Sequence, residues 1–105
     1  MGIQELDKMF RPRSVAVIGA SPNTEKLGGI VLKNLVQRGF GGDIFPVNPL
    51  HEAIGSLKCH RSVSDIGERI DLGVIATPME SVFDILEDCV QARVRGLVIL
   101  STLGR

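Results

Sequence analysis

Apolar residues gather into four short runs with little alternation inside them: Ser14 to Ile18 (SVAVI), Asp43 to Val47 (DIFPV), Leu72 to Ala76 (LGVIA) and Leu97 to Leu100 (LVIL). Alternation marks a strand with one wet face, whereas near-continuous β-branched runs mark strands covered on both faces, as in a parallel sheet. The segments between the runs are long enough for crossover helices. Leu27 to Arg38 is apolar at Leu27, Ile30, Val31, Leu35 and Val36, ends on basic Arg38 and is followed by Gly39, which predicts a helix with a glycine stop. A second helix is announced at Thr77-Pro78-Met79-Glu80, where Thr77 is placed to cap, Pro78 suits the first turn and Glu80 completes a capping box. Its Val82, Ile85, Leu86, Cys89 and Val90 form one apolar stripe, opposite a solvated acidic face of Glu80, Asp84, Glu87 and Asp88. A weaker helix is expected from about Ser64 to Arg69, and a short amphipathic one before the first strand brings Ile3, Leu6 and Phe10 together.

Strands alternating with helices imply a single α/β domain over residues 1–105, a Rossmann-like doubly wound parallel sheet of four strands. Right-handed crossovers make the expected order 3-2-1-4, with a switch point between the first and fourth strands. Ligands of such sheets bind at the carboxyl ends of the strands. The tips here are Gly19-Ala20-Ser21, Asn48-Pro49, Ala76-Thr77-Pro78 and Ser101-Thr102, all small, polar or proline-bearing. Small residues at the first tip let backbone approach a ligand, and the free amides of the next helix favour an anion such as a phosphate or diphosphate. Lys26 adds a positive charge, and Gly28 and Gly29 serve either close ligand contact or helix packing.

Composition narrows the ligand. Lys+Arg and Asp+Glu number 12 each, the formal net charge is zero, and the only aromatics are four Phe, which argues against a nucleic-acid partner. No apolar run approaches the roughly 18 residues of a membrane span, so a cytoplasmic protein is expected. Phosphate binding must then rest on backbone amides and Lys26, not on a basic surface. Cys59 and Cys89 form no C-x-x-C pair and are read as structural, and His51 and His60 as solvated loop residues without a metal-ligand pattern. No nucleophile motif such as G-x-S-x-G occurs, so no catalytic residue is assigned.

A nicotinamide dinucleotide fits poorly. The G-x-G-x-x-G fingerprint needs Gly at position 21, where the chain has Ser21, and Asn48-Pro49 stands where an acidic residue would hold the ribose. A different adenine-bearing phosphate ligand is more economical. Ser14-Val-Ala-Val-Ile-Gly-Ala-Ser21, Phe45-Pro-Val-Asn-Pro49 and Asp71-Leu-Gly-Val-Ile-Ala-Thr-Pro78, in that order, resemble the CoA-binding domain of ADP-forming acyl-CoA (acetyl-CoA) synthetases, relatives of the succinyl-CoA synthetase α subunit. The resemblance runs from about Leu6 to Ser101.

It implies that coenzyme A lies across the strand tips. Gly19, Ala20, Ser21 and Lys26 would line the nucleotide and phosphate region, Asn48 and Pro49 the adenosine side, and Ala76, Thr77 and Pro78 the path toward the thiol. Relatives often carry a basic residue after the Asn-Pro pair; here Leu50 and His51 follow, so that phosphate contact is either missing or supplied by Lys26 or His51. The phosphohistidine and ATP-grasp domains of such synthetases have no sequence here, so the chain is expected to be a non-catalytic module or fragment of a larger ligase. Two alternatives stand beside this reading: an NAD(H)-sensing Rossmann module, and the CoA-binding regulatory domain of a protein lysine acetyltransferase. A sheet that stops after its last strand also predicts a homo-oligomer or a complex with the ligase and ATP-grasp domains.

Overall fold

The computed structural model describes residues 11–100, so the helix expected around Ile3, Leu6 and Phe10 and the tip Ser101-Thr102 lie outside the described residues. The four apolar runs become parallel strands: β1 (Ser14–Ile18), β2 (Asp43–Val47), β5 (Leu72–Ile75) and β6 (Gly96–Ile99). A short antiparallel hairpin, β3 (Ala53–Ile54) with β4 (Leu57–Lys58), follows β2. The crossover helices are α1 (Leu27–Gln37) and α2 (Val82–Gln91). None of the described helices is long and apolar enough to cross a membrane.

The sheet order is β2-β1-β5-β6. Numbered by the four apolar runs this reads 2-1-3-4, which corrects the expected 3-2-1-4, and the switch point lies between β1 and β5, the first and third runs. The cause is an outer strand reduced to one residue. After the hairpin the chain returns beside β2 only at His60, which makes a parallel bridge to Val47. His60 N–H donates to Pro46 O (2.9 Å), and Asn48 N–H donates to His60 O (2.8 Å). Counted as the third strand, this bridge restores the Rossmann-like order with β5 in fourth place. Lying between Lys58 and Arg61, it has no apolar run by which to announce itself.

Both faces of the sheet are covered, as the unalternating runs require. From β1, Ala16 and Ile18 pack with Val63, Ile70, Ile75 and Cys89 on the α2 side, while Val15 and Val17 pack with Ala20, Leu32 and Val74 on the α1 side. Burial pushes the Cys89 thiol up to about 11, consistent with a core hydrophobe. The α1 stop is as predicted: Gly39 takes φ +69°, its N–H reaches Val36 O (3.2 Å) and Phe40 N–H reaches Leu35 O (3.0 Å), the two bonds of a Schellman cap. The same motif closes α2, through Arg93 N–H to Val90 O (3.1 Å) and Val94 N–H to Cys89 O (3.0 Å), but with Arg93 at φ +60° where glycine is usual.

Four local expectations change. Pro78 stays extended (ψ 152°), so a 3-10 turn over Met79–Ser81 precedes α2 and the Thr77–Glu80 capping box does not form. Val90 is 71% exposed, at the outer edge of its stripe. The weak helix from Ser64 shrinks to a 3-10 turn, Ser64–Ile66, because Gly67 turns left-handed at φ +68°. Asp88 is not merely solvated: its carboxylate accepts from Val63 N–H (2.8 Å) and from the Ser64 hydroxyl, tying α2 to that turn.

Candidate functional site

The chain leaves β1 at Gly19 and folds toward β2, with the Gly19 and Ala20 amides donating to Val47 O at 2.9 and 3.3 Å. Gly19 adopts φ +90°, and a Cβ there would stand 2.5 Å from Ala76 O, so only glycine lets the β1 and β5 tips meet this closely. Beyond it, Ser21 Oγ accepts from Asn23 N–H (3.0 Å) and Asn23 Oδ1 from Glu25 N–H (2.9 Å), which shape the loop into α1. Lys26 is the N-cap residue of α1, extended at ψ 148°, and no side chain caps the first turn. Its free amides therefore remain available to an anion.

Gly28 and Gly29 serve helix packing. A Cβ on Gly28 would fall 1.8 Å from Gly19 O, and one on Gly29 2.0 Å from Asn23 O. The space each glycine leaves is filled by the chain's own loop, which seats α1 against the β1 tip.

Asn48, at the tip of β2, is a strut. Its Nδ2 donates to Ala20 O (2.8 Å) and its Oδ1 accepts from Leu50 N–H (2.9 Å), so the amide braces the first two tips while keeping one N–H free. Burial raises the Cys59 thiol against the pull of its carbonyl neighbours, and its Sγ lies 3.5 Å from Asn48 O behind this strut. The structural reading of Cys59 fits. His60 is not a solvated loop residue: it is half-buried, and its ring stands edge-on to Phe45 at 5.8 Å.

These tips open on one cleft of about 1060 Å³ that crosses the carboxyl ends of β1, β2 and β5. Gly19, Ser21, Lys26, Asn48, Pro49, Ala76, Thr77 and Pro78 all line it. Ala20 does not line it: the residue is fully buried among the α1-side core, and the bond to Asn48 uses its carbonyl alone. Sequence reasoning missed the opposite wall, where Arg61, Ser62, Asp84 and Asp88 also face the cleft. Arg61 follows the one-residue strand at His60, so no strand-tip rule could single it out; the only signal was a basic side chain in a polar stretch. Glu25 and His51 lie on the same lining, giving it charges of both signs. The volume lies just above the roughly 300–1,000 Å³ usual for small-molecule sites. Small tips, free first-turn amides and the cations Lys26 and Arg61 fit a long, phosphate-bearing ligand.

Comparison with known proteins agrees with this geometry. Residues 13–103 match the family described as CoA binding domain. The chain is 43% identical over 100 residues to the ADP-forming acetate-CoA ligase II of Archaeoglobus fulgidus, covering 95% of this chain and 15% of that protein. It is 43% identical over 98 residues to a trans-feruloyl-CoA synthase from an unknown prokaryote, covering 93% and 14%. Among solved structures, the Ca. Korarchaeum cryptofilum dinucleotide-forming acetyl-coenzyme A synthetase 1 in complex with phosphate and ADP superposes with a TM-score of 0.89 at 36% identity, over 92% of this chain and 21% of that one. The chain thus spans about one seventh of the length of these curated relatives. None of these proteins supports the NAD(H)-sensing alternative. With its parallel sheet, its cleft across the strand tips and a match over nearly its whole length, the chain belongs to the CoA binding domain family.

Proposed function

We propose that the cleft is the coenzyme A site of an ADP-forming acyl-CoA synthetase, in which this domain holds CoA while separate ligase and ATP-grasp domains supply the phosphoryl chemistry. The observation that carries the reading is the single cleft joining three strand tips, with Lys26 on one wall and Arg61 on another. Coenzyme A, when bound, supplies the thiol that receives the acyl group.

The chain's own residues bind and orient. Gly19, Ser21, Lys26 and the first-turn amides of α1 take the diphosphate; Asn48 and Pro49 flank the adenosine; Ala76, Thr77 and Pro78 border the arm that leads to the thiol. Ala20 acts through its backbone, its carbonyl fixing Asn48 and its amide bonded to Val47 O. Both named relatives join a carboxylic acid to CoA but use different acids, acetate and ferulate. This supports a domain that recognises CoA and leaves the acyl group to be chosen elsewhere. Val98 and Ile99 are 39% and 46% exposed on the outer strand β6, which supports contact with another domain or another copy. A cytoplasmic location, where CoA and ATP are drawn on together, completes the proposal.

Calorimetric titration of the purified protein with CoA and with NAD tests it. Saturable binding of CoA with none of NAD is expected. Binding of NAD but not CoA overturns the proposal.

A further inference from the structure

Three observations single out Arg61. First, its backbone is held on both sides: His60 is bonded to Pro46 (2.9 Å) and Asn48 (2.8 Å), and Val63 N–H is bonded to Asp88 Oδ2 (2.8 Å). The exposed Arg61 side chain between these anchors lines the cleft. Second, among the described residues Arg61 has no ion-pair partner, whereas the nearby carboxylate of Asp88 is taken by Val63 and Ser64. Its guanidinium is therefore available, permanently charged and shaped for two-point contact with a phosphate. Third, the sheet orders the tips laterally as β5, β1, β2 and the His60 bridge.

In a sheet of this kind the diphosphate lies at the β1 tip and the first-turn amides of the next helix, and the adenosine lies over the β2 tip. One place further out, directly after the His60 bridge, stands Arg61 on the lining of the cleft. The residue directly after Asn48-Pro49 is Leu50, 85% exposed and without charge, so it offers that position nothing. We infer that Arg61 reads the 3′-phosphate of coenzyme A. This assignment rests on the CoA reading above and deepens it: Lys26 and the α1 amides serve the diphosphate shared by many nucleotides, and Arg61 serves the group that separates CoA from its dephosphorylated form.

The test is calorimetric titration of wild type, Arg61→Ala and Arg61→Lys with CoA and with dephospho-CoA, with thermal melting to check the fold. For wild type, CoA binds more tightly than dephospho-CoA. Arg61→Ala weakens CoA by about tenfold or more, as loss of a charge-assisted contact does, and leaves dephospho-CoA within about twofold. Arg61→Lys keeps part of the preference. Equal weakening of both ligands, or no change for either, overturns the role of Arg61 and leaves the CoA site standing. A wild-type protein that binds neither ligand removes the CoA site itself.

Discussion

At the amino ends of β1 and β5, Ser14 and Asp71 are 7% and 4% exposed, and their polar groups are paired. The Ser14 hydroxyl donates to Arg69 O (2.8 Å) and accepts from Asp71 N–H (2.9 Å), while Asp71 Oδ2 accepts from Arg13 N–H (2.9 Å) and Oδ1 faces Arg95 Nε at 4.0 Å. At the carboxyl ends of the same two strands stand Gly19, Ala76 and Thr77, small residues at an open cleft bordered by Arg61, which has no ion-pair partner among the described residues. The same strands thus end in a bonded lock on one side and in a cleared space on the other. Residues of the lock should govern stability alone, and residues of the cleft should govern binding, except where a glycine serves both.

Gly28, which packs α1 against the β1 tip and also lines the cleft, is such an exception, and its replacement should have the largest effect. A Cβ 1.8 Å from Gly19 O forces α1 off the β1 tip, so Gly28→Ala should cost about 3 kcal/mol or more, in the range of severe overpacking. Chemical denaturation should show the loss, and CoA binding should go with it. An unchanged midpoint would mean that the loop yields freely and that the two glycines serve the ligand after all.

Asp71→Ala breaks the lock. It removes the charged acceptor of the Arg13 amide, and about 1.5–3 kcal/mol should be lost, the usual worth of a hydrogen bond to a charged group. The dissociation constant for CoA should stay within about twofold. A large change in CoA affinity at preserved fold would blur the division between the two ends.

Lys26→Ala tests the other end. Lys26 is exposed and makes no side-chain cap, so stability should move by no more than about 0.5 kcal/mol while CoA affinity falls by about tenfold. Equal falls for CoA and dephospho-CoA are expected, because the diphosphate is common to both. The smallest effect is a gain at the α2 stop, two residues before Arg95 and on the amino side of the sheet: Arg93→Gly should remove the cost of a left-handed side-chain-bearing residue (φ +60°), roughly 1 kcal/mol. A higher melting temperature with unaltered CoA affinity is the expected outcome.

The strands were legible because burial on both faces leaves unbroken apolar runs, and α1 because Gly39 marks its end. The tips followed from the strands, which is why eight of the nine proposed site residues line the cleft. Ala20 failed because its small side chain, read as clearance for a ligand, turns into the α1-side core. The sheet order and Arg61 failed together: a strand of one residue has no periodicity, and hydrogen bonds to β2 rather than apolar burial define it. Asp88 looked like a member of a solvated acidic face, since helical spacing cannot reveal a turn 24 residues earlier that offers it a backbone amide and a hydroxyl. Polar residues that act through distant partners leave little trace in local pattern.

The central claim, that CoA occupies the carboxyl-end cleft, is tested most directly by following backbone amide resonances of the labelled protein as CoA is added. The account predicts the largest shifts at Gly19, Ser21, Lys26, Asn48, Arg61 and Thr77, with Arg13, Ser14 and Asp71 at the opposite end little changed. Saturable shifts centred on Arg13, Ser14 and Asp71, with the tips undisturbed, would contradict it.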